Sequence, residues 1–156
     1  MNKLLIILLL AMLSACSTTP RHPSSSGYAA DEEMDNLVMY ALSLADTPYR
    51  YGGNSPDSGF DCSGFVDHVF SHTLGVKLPR TSHEISRVGK PVSNHNLRPG
   101  DLVFFNTMHR PYSHVGIFIG DGKFVHAPKT GSNIRVEQLN EKYWAARYNG
   151  ARRIKV

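Results

Sequence analysis

The sequence feature that most constrains the fold is a turn, Gly120-Asp121-Gly122, which separates two short apolar runs. Apolar runs on either side of an Asp-Gly turn are typical of an antiparallel β-hairpin. One histidine lies in each predicted arm, His114 before the turn and His126 after it. The pairing register of the two strands therefore decides whether both imidazoles face the same side of the sheet.

Two registers are compatible with this turn. A two-residue loop pairs residues whose numbers add to 243, and the two histidines then point to opposite faces. A three-residue loop makes the sum 242, so that His126 opposes Gly116 and His114 lies two residues along on the same face. We predict the second register, because only that register lets the two imidazoles act together on one face of the sheet. Gly116 has no side chain, so it leaves room for a ring to lie across the neighbouring strand.

Helices precede the predicted strands. Apolar residues at helical spacing accompany the acidic stretch Asp31 to Asp35, which predicts a first helix that begins there and ends before Pro48. A loop rich in glycine and serine leads to a second helix, which begins near Asp61 or Cys62 and ends at Gly75.

The third predicted helix is short, and strands follow it. Thr81 and Glu84 have the spacing of a capping box for a helix that ends by Gly89. The strand candidates are residues 102–105, 114–119, 123–127, 134–136 and 151–155, with a short turn or helix at Tyr143-Trp144. Helices first and strands later predict an α+β domain with an antiparallel sheet.

The N-terminus is organised like a bacterial lipoprotein signal. Lys3 is followed by ten apolar residues, and Ser14-Ala15-Cys16 then resembles a lipobox, in which cleavage precedes the cysteine and lipid is attached to it. This pattern predicts a signal peptide over residues 1–15 and lipidation at Cys16. Ser17, where aspartate would favour the inner membrane, indicates the outer membrane of a Gram-negative bacterium. The alternative is an ordinary secreted protein in which Cys16 is incidental.

Composition divides the rest of the chain. Serine, threonine, proline and glycine dominate residues 17–30, so residues 16–30 are predicted to form the lipid anchor and a flexible tether. Residues 31–156 then form one globular domain, since a sequence of 156 residues that is 41% hydrophobic and 19% charged allows one ordinary domain at most. A net charge of +4 is too small to predict a nucleic-acid partner. We expect a monomer.

Cys62 is the candidate nucleophile. It stands in Asp61-Cys62-Ser63-Gly64 at the predicted start of a helix, where free backbone N–H groups and the helix dipole predict a lowered thiol pKa. A thiolate beside an imidazole, here that of His114 or His126, is an acyl-transfer nucleophile. The alternative for the two histidines is a solvated position near a turn.

His68 and His72, four residues apart in the second helix, have a spacing that suggests metal ligands. Two ligands do not make a zinc site, and no cysteine or carboxylate is obviously placed to complete it. We therefore interpret both as surface residues and predict that the protein uses neither a metal nor an organic cofactor.

Six separated motifs carry a family resemblance. They are Tyr49-Arg50-Tyr51-Gly52-Gly53, Asp61-Cys62-Ser63-Gly64-Phe65-Val66, Leu78-Pro79-Arg80, Leu97-Arg98-Pro99-Gly100-Asp101-Leu102-Val103, His114-Val115-Gly116-Ile117 and Phe124-Val125-His126-Ala127. In this order they closely resemble the NlpC-type peptidoglycan endopeptidases, which are papain-like cysteine peptidases of bacterial envelopes. Tyr143-Trp144 and the residues after it resemble a branch of small lipoproteins in that family. The resemblance implies a papain-like fold, with the catalytic cysteine at a helix N-terminus that packs on an antiparallel sheet.

The resemblance also implies catalytic roles. Cys62 is similar to the family nucleophile, and His114 to the base that takes its proton. His126 takes the place of the third residue, which accepts a hydrogen bond from the His114 ring and fixes its tautomer. Tyr49 resembles the tyrosine that lines the oxyanion hole together with the Cys62 backbone N–H.

The resemblance also implies residues that contact the substrate, although with fewer motif positions to identify them. Asp61 is a candidate contact for a substrate ammonium, and Arg80 or Ser82 for a carboxylate of the stem peptide. Helix capping accounts equally well for Asp61 and Ser82.

The implied function is hydrolysis of peptide bonds in peptidoglycan stem peptides, or in their D-alanyl–diaminopimelate cross-links, during cell-wall growth or remodelling. The protein is expected in the cell envelope, anchored by lipid at Cys16 and facing the periplasm. Two alternatives stay open. One is a papain-like acyltransferase, whose thioester passes to an alcohol or amine, and the other is a non-catalytic wall-binding lipoprotein that keeps the fold.

Overall fold

The structure of the chain, a computed structural model, describes residues 25–156, with side chains described from residue 29. The predicted signal peptide, Cys16 and residues 17–24 of the predicted tether lie outside the described residues. None of the described helices is both long enough and apolar enough to cross a membrane.

The described chain folds as N-terminal helices followed by an antiparallel sheet, which confirms the predicted α+β class. The helices are α1 (Ser25–Ser43), α2 (Cys62–Leu74), α3 (Ser82–Ile85) and α4 (Lys142–Ala145), with a 3-10 turn at Asn94–Asn96. The strands are β1 (Asn54–Ser55), β2 (Gly59–Phe60), β3 (Lys90–Val92), β4 (Leu102–Phe105), β5 (His114–Gly120), β6 (Lys123–His126), β7 (Arg135–Gln138) and β8 (Tyr148–Arg153). Strands β3 to β8 form one sheet in the order β3-β8-β4-β5-β6-β7, whereas β1 and β2 pair only with each other.

Helix α1 begins earlier than the sequence predicts. Residues 25–30, which composition assigned to the tether, are helical, so the acidic stretch Asp31 to Asp35 lies beyond the first turn. Ala29 and Ala30 are exposed, and this part of the helix therefore lacks the apolar period by which a helix is recognised. Further along, Leu37 and Ala41 are fully buried against the rest of the domain.

Helix α2 is fixed at both ends by local interactions. Asp61 is its N-cap and accepts a hydrogen bond from the backbone N–H of Gly64, and Gly75 ends it in the left-handed conformation at φ 67°. The first turn also packs closely on the preceding loop, because a Cβ on Gly64 would lie 2.1 Å from the carbonyl oxygen of Gly53. The start of α2 is thus held tightly against the loop.

The sheet separates two apolar clusters. Leu102 and Phe104 of β4 pack with the helices, whereas Val103 and Phe105 pack on the opposite face with Trp144 of α4. All four β4 residues are fully buried. A central strand buried on both faces gives the neighbouring strand β5 a rigid support for its first residue, His114.

The predicted hairpin register is confirmed, although the turn differs from the one predicted. Ile117 pairs with Val125 and Phe118 with Phe124, which gives the sum 242. At the turn itself Gly120 pairs with Lys123, so the loop has two residues, and a bulge between Phe118 and Gly120 shifts the register.

Gly116 has the predicted role in this hairpin. A Cβ at that position would lie 2.8 Å from the ring of Phe124 and 3.2 Å from Cβ of His126. A glycine is therefore required where the two strands bring the histidines together.

Candidate active site

The site is a cavity of about 510 Å³ at the N-terminus of α2. Cys62, the first residue of α2, lines it together with Tyr49 and His114. The backbone N–H of Val115, the residue that follows His114 in β5, is close enough to the Cys62 thiol to act toward a lower thiol pKa. The helix and the hairpin thus bring a thiol and an imidazole to one wall of the same cavity.

The two histidines of the hairpin are in direct contact. Nε2 of His114 lies 2.7 Å from Nδ1 of His126, with the rings almost perpendicular, at 86°. His126 is fully buried and His114 nearly so. Trp144 stacks on the His114 ring at 5.6 Å between centroids and meets the His126 ring edge to face. Both rings are therefore held in place by protein side chains and are largely shielded from solvent.

This contact determines which nitrogen can act as a base. Because Nε2 of His114 is engaged with His126, Nδ1 is the nitrogen left to accept the Cys62 proton. If Nδ1 is to accept that proton, neutral His114 must carry its hydrogen on Nε2 and donate it to Nδ1 of His126. The His126 hydrogen must in turn lie on its Nε2. A continuous chain of hydrogen bonds thus requires the hydrogen of each ring, His114 and His126, to lie on Nε2.

The predicted low pKa of Cys62 is wrong. Burial of the thiol, followed by the negative charge of Asp61, raises the pKa of Cys62 to about 11. Backbone N–H groups, including those of Val115 and Ser63, act in the opposite direction but do not offset these two effects. The helix N-terminus alone therefore does not produce a thiolate.

The His114 imidazole is also uncharged near pH 7. Burial, and then the adjacent His126 ring, hold the pKa of His114 well below its usual value of 6.5. Burial also lowers the pKa of His126. A neutral thiol and a neutral imidazole therefore face the cavity near pH 7, and the proton must move when the substrate is attacked.

Tyr49 lies in the cavity wall with Cys62. Its backbone N–H donates to the Ser132 carbonyl at 2.8 Å, which holds the loop before α2 to the loop that follows β6. Burial, and then the nearby Cys62 and Asp61, raise the pKa of Tyr49. The phenol is therefore protonated and able to donate near pH 7.

The three predicted substrate contacts already have partners within the protein and do not line the cavity. Arg80 donates to both carboxylate oxygens of Asp61, at 3.0 and 2.6 Å, and to the Ser63 hydroxyl at 3.0 Å. The Ser82 hydroxyl donates to the Tyr112 carbonyl at 2.7 Å. Asp61 caps α2 as the alternative reading expected, whereas the cap of α3 is Thr81 and not Ser82.

Four residues of the site were not singled out from the sequence as functional. Glu137 and Arg135 of β7, Trp144 of α4 and Lys129 all line the cavity. Their approach depends on the pairing of β6 with β7, in which Phe124 opposes Glu137 and His126 opposes Arg135. The strand candidate at residues 134–136 was the available signal, but the seven-residue loop between it and His126 is too long for its sequence to fix the register.

His68 and His72 take part in an aromatic cluster and are not simply solvated. The Tyr40 hydroxyl is 2.9 Å from Nε2 of His68, and the Tyr40 ring stacks on His72 at 4.1 Å. Within residues 25–156 no group of three or more His, Cys, Asp or Glu side chains could hold a metal ion.

Comparison with known proteins matches residues 46–153 to the NlpC/P60 family. Murein DD-endopeptidase MepH of Escherichia coli K12 is 44% identical over 110 residues, which are 69% of this chain and 41% of MepH. Murein DD-endopeptidase MepS/Murein LD-carboxypeptidase of the same strain is 41% identical over 166 aligned positions, which cover 92% of this chain and 86% of MepS. The chain thus spans less than half of MepH but most of MepS.

The fold is also that of solved structures. A crystal structure of an NlpC/P60 family protein from Bacillus cereus superposes with a TM-score of 0.72 at 34% identity, over 77% of this chain and 39% of that one. Residues 46–153, which match the family, include every residue that lines the cavity.

The neutral thiol has a measurable consequence. In a Cys16→Ala variant, where Cys62 is the one remaining cysteine of the sequence, we expect the rate of alkylation by iodoacetamide to keep rising with pH beyond about pH 9, because the thiolate fraction grows until the pH reaches the thiol pKa. The unfolded protein serves as control and should level off above about pH 8.5. A rate that is already constant near pH 6 would show a preformed thiolate and contradict the prediction.

Proposed function

Since the chain belongs to the NlpC/P60 family, we propose that it is a cysteine peptidase that hydrolyses peptide bonds of peptidoglycan stem peptides or of their D-alanyl–diaminopimelate cross-links. The observation that carries the proposal is the 2.7 Å contact between His114 and His126 on the wall that holds Cys62. The names of MepH and MepS, both murein DD-endopeptidases, support the substrate class.

In the first half of the reaction, the thiol proton moves to Nδ1 of His114 while the Cys62 sulfur attacks the scissile carbonyl carbon. The carbonyl oxygen becomes an oxyanion, for which Tyr49 and the Cys62 backbone N–H are the donors in this proposal. His114 then gives the proton to the leaving amine as the C–N bond breaks. The products of this half are a free amine and a thioester on Cys62.

In the second half, His114 takes a proton from water, and the resulting hydroxide equivalent attacks the thioester carbon. Collapse of the second oxyanion breaks the C–S bond. The proton held by His114 returns to the sulfur, so that one water is consumed for each peptide bond cleaved. His126 keeps the hydrogen on Nε2 of His114 throughout both halves.

Incubation of the purified protein with intact sacculi tests the function. The wild type should release muropeptides, whereas Cys62→Ala should lower the rate by at least about 10³-fold, because no other group can form the thioester. Products identified by mass give the bond that is cut, and H₂¹⁸O in the reaction should place one ¹⁸O in each new carboxylate.

Three outcomes would contradict this account. Equal release by Cys62→Ala would exclude the nucleophile, and no release by the wild type would exclude the activity. Products free of ¹⁸O would indicate acyl transfer instead of hydrolysis.

Substrate carboxylates have a better candidate partner than Arg80 or Ser82. Lys129 and Arg135 are exposed cations that line the cavity. The Arg135 Nε donates to Oε1 of Glu137, which leaves its two terminal nitrogens directed away from that bond. We infer that Lys129 and Arg135 bind a free carboxylate of the stem peptide.

Removal of either cation should weaken substrate binding. Lys129→Gln and Arg135→Gln are each expected to raise KM roughly tenfold, since a hydrogen bond to a charged group contributes about 1.5–3 kcal/mol. Lys123→Gln, at an exposed lysine that does not line the cavity, is the matched control. The effect should disappear with stem peptides whose carboxylates are amidated, and an unchanged KM with the acid form would contradict the assignment.

We also propose that the mature protein is attached to the outer membrane by lipid at Cys16 and extends its domain into the periplasm. The support is the lipobox-like Ser14-Ala15-Cys16 and the presence of Ser17 after it. Two or more acyl chains are needed for stable anchoring, which such a modified cysteine supplies. An envelope location agrees with a peptidoglycan substrate.

Labelling of cells with radioactive palmitate tests the anchor. The wild type should incorporate label and sediment with membranes, and Cys16→Ala should do neither. Ser17→Asp should keep the label but move the protein to the inner-membrane fraction. Membrane attachment of an unlabelled protein would contradict the assignment of Cys16.

A further inference from the structure

The hydrogen-bond chain of the active site does not end at His126. Nε2 of His126 is buried and makes no hydrogen bond to any described residue, and Oε1 of Glu137 lies 3.6 Å from it. The other carboxylate oxygen, Oε2, accepts a hydrogen bond from Nε1 of Trp144, and Arg135 donates to Oε1. Glu137 is thus held by two donors and faces the buried nitrogen of the histidine pair that has no hydrogen-bond partner among the described residues.

We propose that Glu137 is a positioning residue for the catalytic pair, and that its carboxylate accepts the Nε2 hydrogen of His126. This inference rests on the proposed function, because it concerns the same reaction. Catalytic hydrogen bonds are often long in a free enzyme and shorten only when the reacting groups are in place. A small movement of Glu137 toward His126 would close the 3.6 Å gap.

The role follows from the tautomers. If the hydrogen of His126 is held on Nε2, Nδ1 is free to accept from His114, whose own hydrogen then lies on Nε2. Nδ1 of His114 is consequently the acceptor that faces Cys62. A carboxylate at the far end of the chain therefore determines whether the base next to the nucleophile can take a proton.

Glu137 also carries charge. His126, together with Trp144 and Arg135, holds the pKa of Glu137 at about 2, so that its carboxylate is negative near pH 7. When His114 becomes an imidazolium, a negative charge beyond His126 stabilises it. Arg135 opposes this effect only partly, because about half of its side chain is exposed to solvent, whereas 14% of the Glu137 side chain is exposed.

A glutamine at this position cannot replace the carboxylate. If its carbonyl oxygen accepts from His126, its NH₂ group faces the Trp144 N–H, and two buried donors oppose each other with no way to relieve the conflict. If the oxygen accepts from Trp144, the NH₂ group faces His126 and Arg135. Arg135 can turn into solvent, and His126 can move its hydrogen to Nδ1.

The second arrangement is therefore the one that a glutamine should adopt, and it disables the base. A hydrogen on Nδ1 of His126 meets the hydrogen on Nε2 of His114, so His114 must move its own to Nδ1. That nitrogen then points a donor at the Cys62 thiol and cannot accept its proton. A wrong tautomer of this kind is known to abolish most of the activity of a catalytic triad.

The test is Glu137→Gln, with Glu141→Gln as the matched control at an exposed glutamate whose side chain makes no capping hydrogen bond to α4. Glu137→Gln should lower kcat about 10–100-fold and change KM by less than about threefold. Glu141→Gln should change neither. Removal of the competing donor should rescue this loss. In a Trp144→Phe background, the fall in kcat caused by Glu137→Gln should be less than about a third of the fall that it causes in the wild type.

Two readouts do not need turnover of peptidoglycan. Side-chain ¹⁵N spectra of histidine should show the hydrogen of His114 on Nε2 in the wild type and on Nδ1 in Glu137→Gln. The rate of Cys62 alkylation at pH 7 should fall in the same variant. If the wild type releases nothing from sacculi but these two changes occur, the proposed function fails and the positioning role stands. If Glu137→Gln keeps kcat and both tautomers, the positioning role is excluded.

Discussion

The geometry of the catalytic helix depends on one carboxylate, that of Asp61. Its two oxygens accept five hydrogen bonds, from the backbone N–H groups of Gly52 and Gly64, from the Ser63 hydroxyl and twice from Arg80. These donors come from the preceding loop, the first turn of α2 and the segment before α3. Cys62, the proposed nucleophile, follows Asp61 directly in the chain, so its position is fixed by all three segments. Burial, and then the same negative charge, raise the pKa of the thiol, so that a separate base is needed to remove its proton.

A single β-bulge in the sheet brings His114, the proposed base, into contact with His126. The two-residue turn at Asp121-Gly122 would place His114 and His126 on opposite faces, but the bulge between Phe118 and Gly120 changes the register before the histidines are reached. The strand pairing that follows allows the 2.7 Å contact between the rings. A bulge here therefore determines function as well as strand geometry, because one residue more or less would separate the pair.

Features fixed by neighbouring residues were predictable from the sequence. The ends of α2 follow from a cap at Asp61 and a glycine at position 75, and the capping box of α3 forms as its spacing indicates. Strand β3 was missed because it is short, exposed and contains Pro91 at the edge of the sheet. The approach of Glu137 depends on pairing across a loop without a turn sequence, and the pKa of Cys62 depends on burial, which only the assembled fold sets.

Burial explains why the charges of this site arise together. With the thiol, His114 and His126 all neutral, the free protein avoids the large cost of isolated charges in a poorly solvated cavity. Attack on a carbonyl creates an oxyanion and an imidazolium within the same cavity, where the attraction between them is stronger than in water. Glu137 is the charged residue on the far side of His126, and two donors fix its carboxylate before the reaction begins. Because the Glu137 carboxylate is already in place, it stabilises the His114 imidazolium without any reorganisation of solvent. The neutral Cys62 thiol and the neutral His114 imidazole can then exchange a proton rapidly.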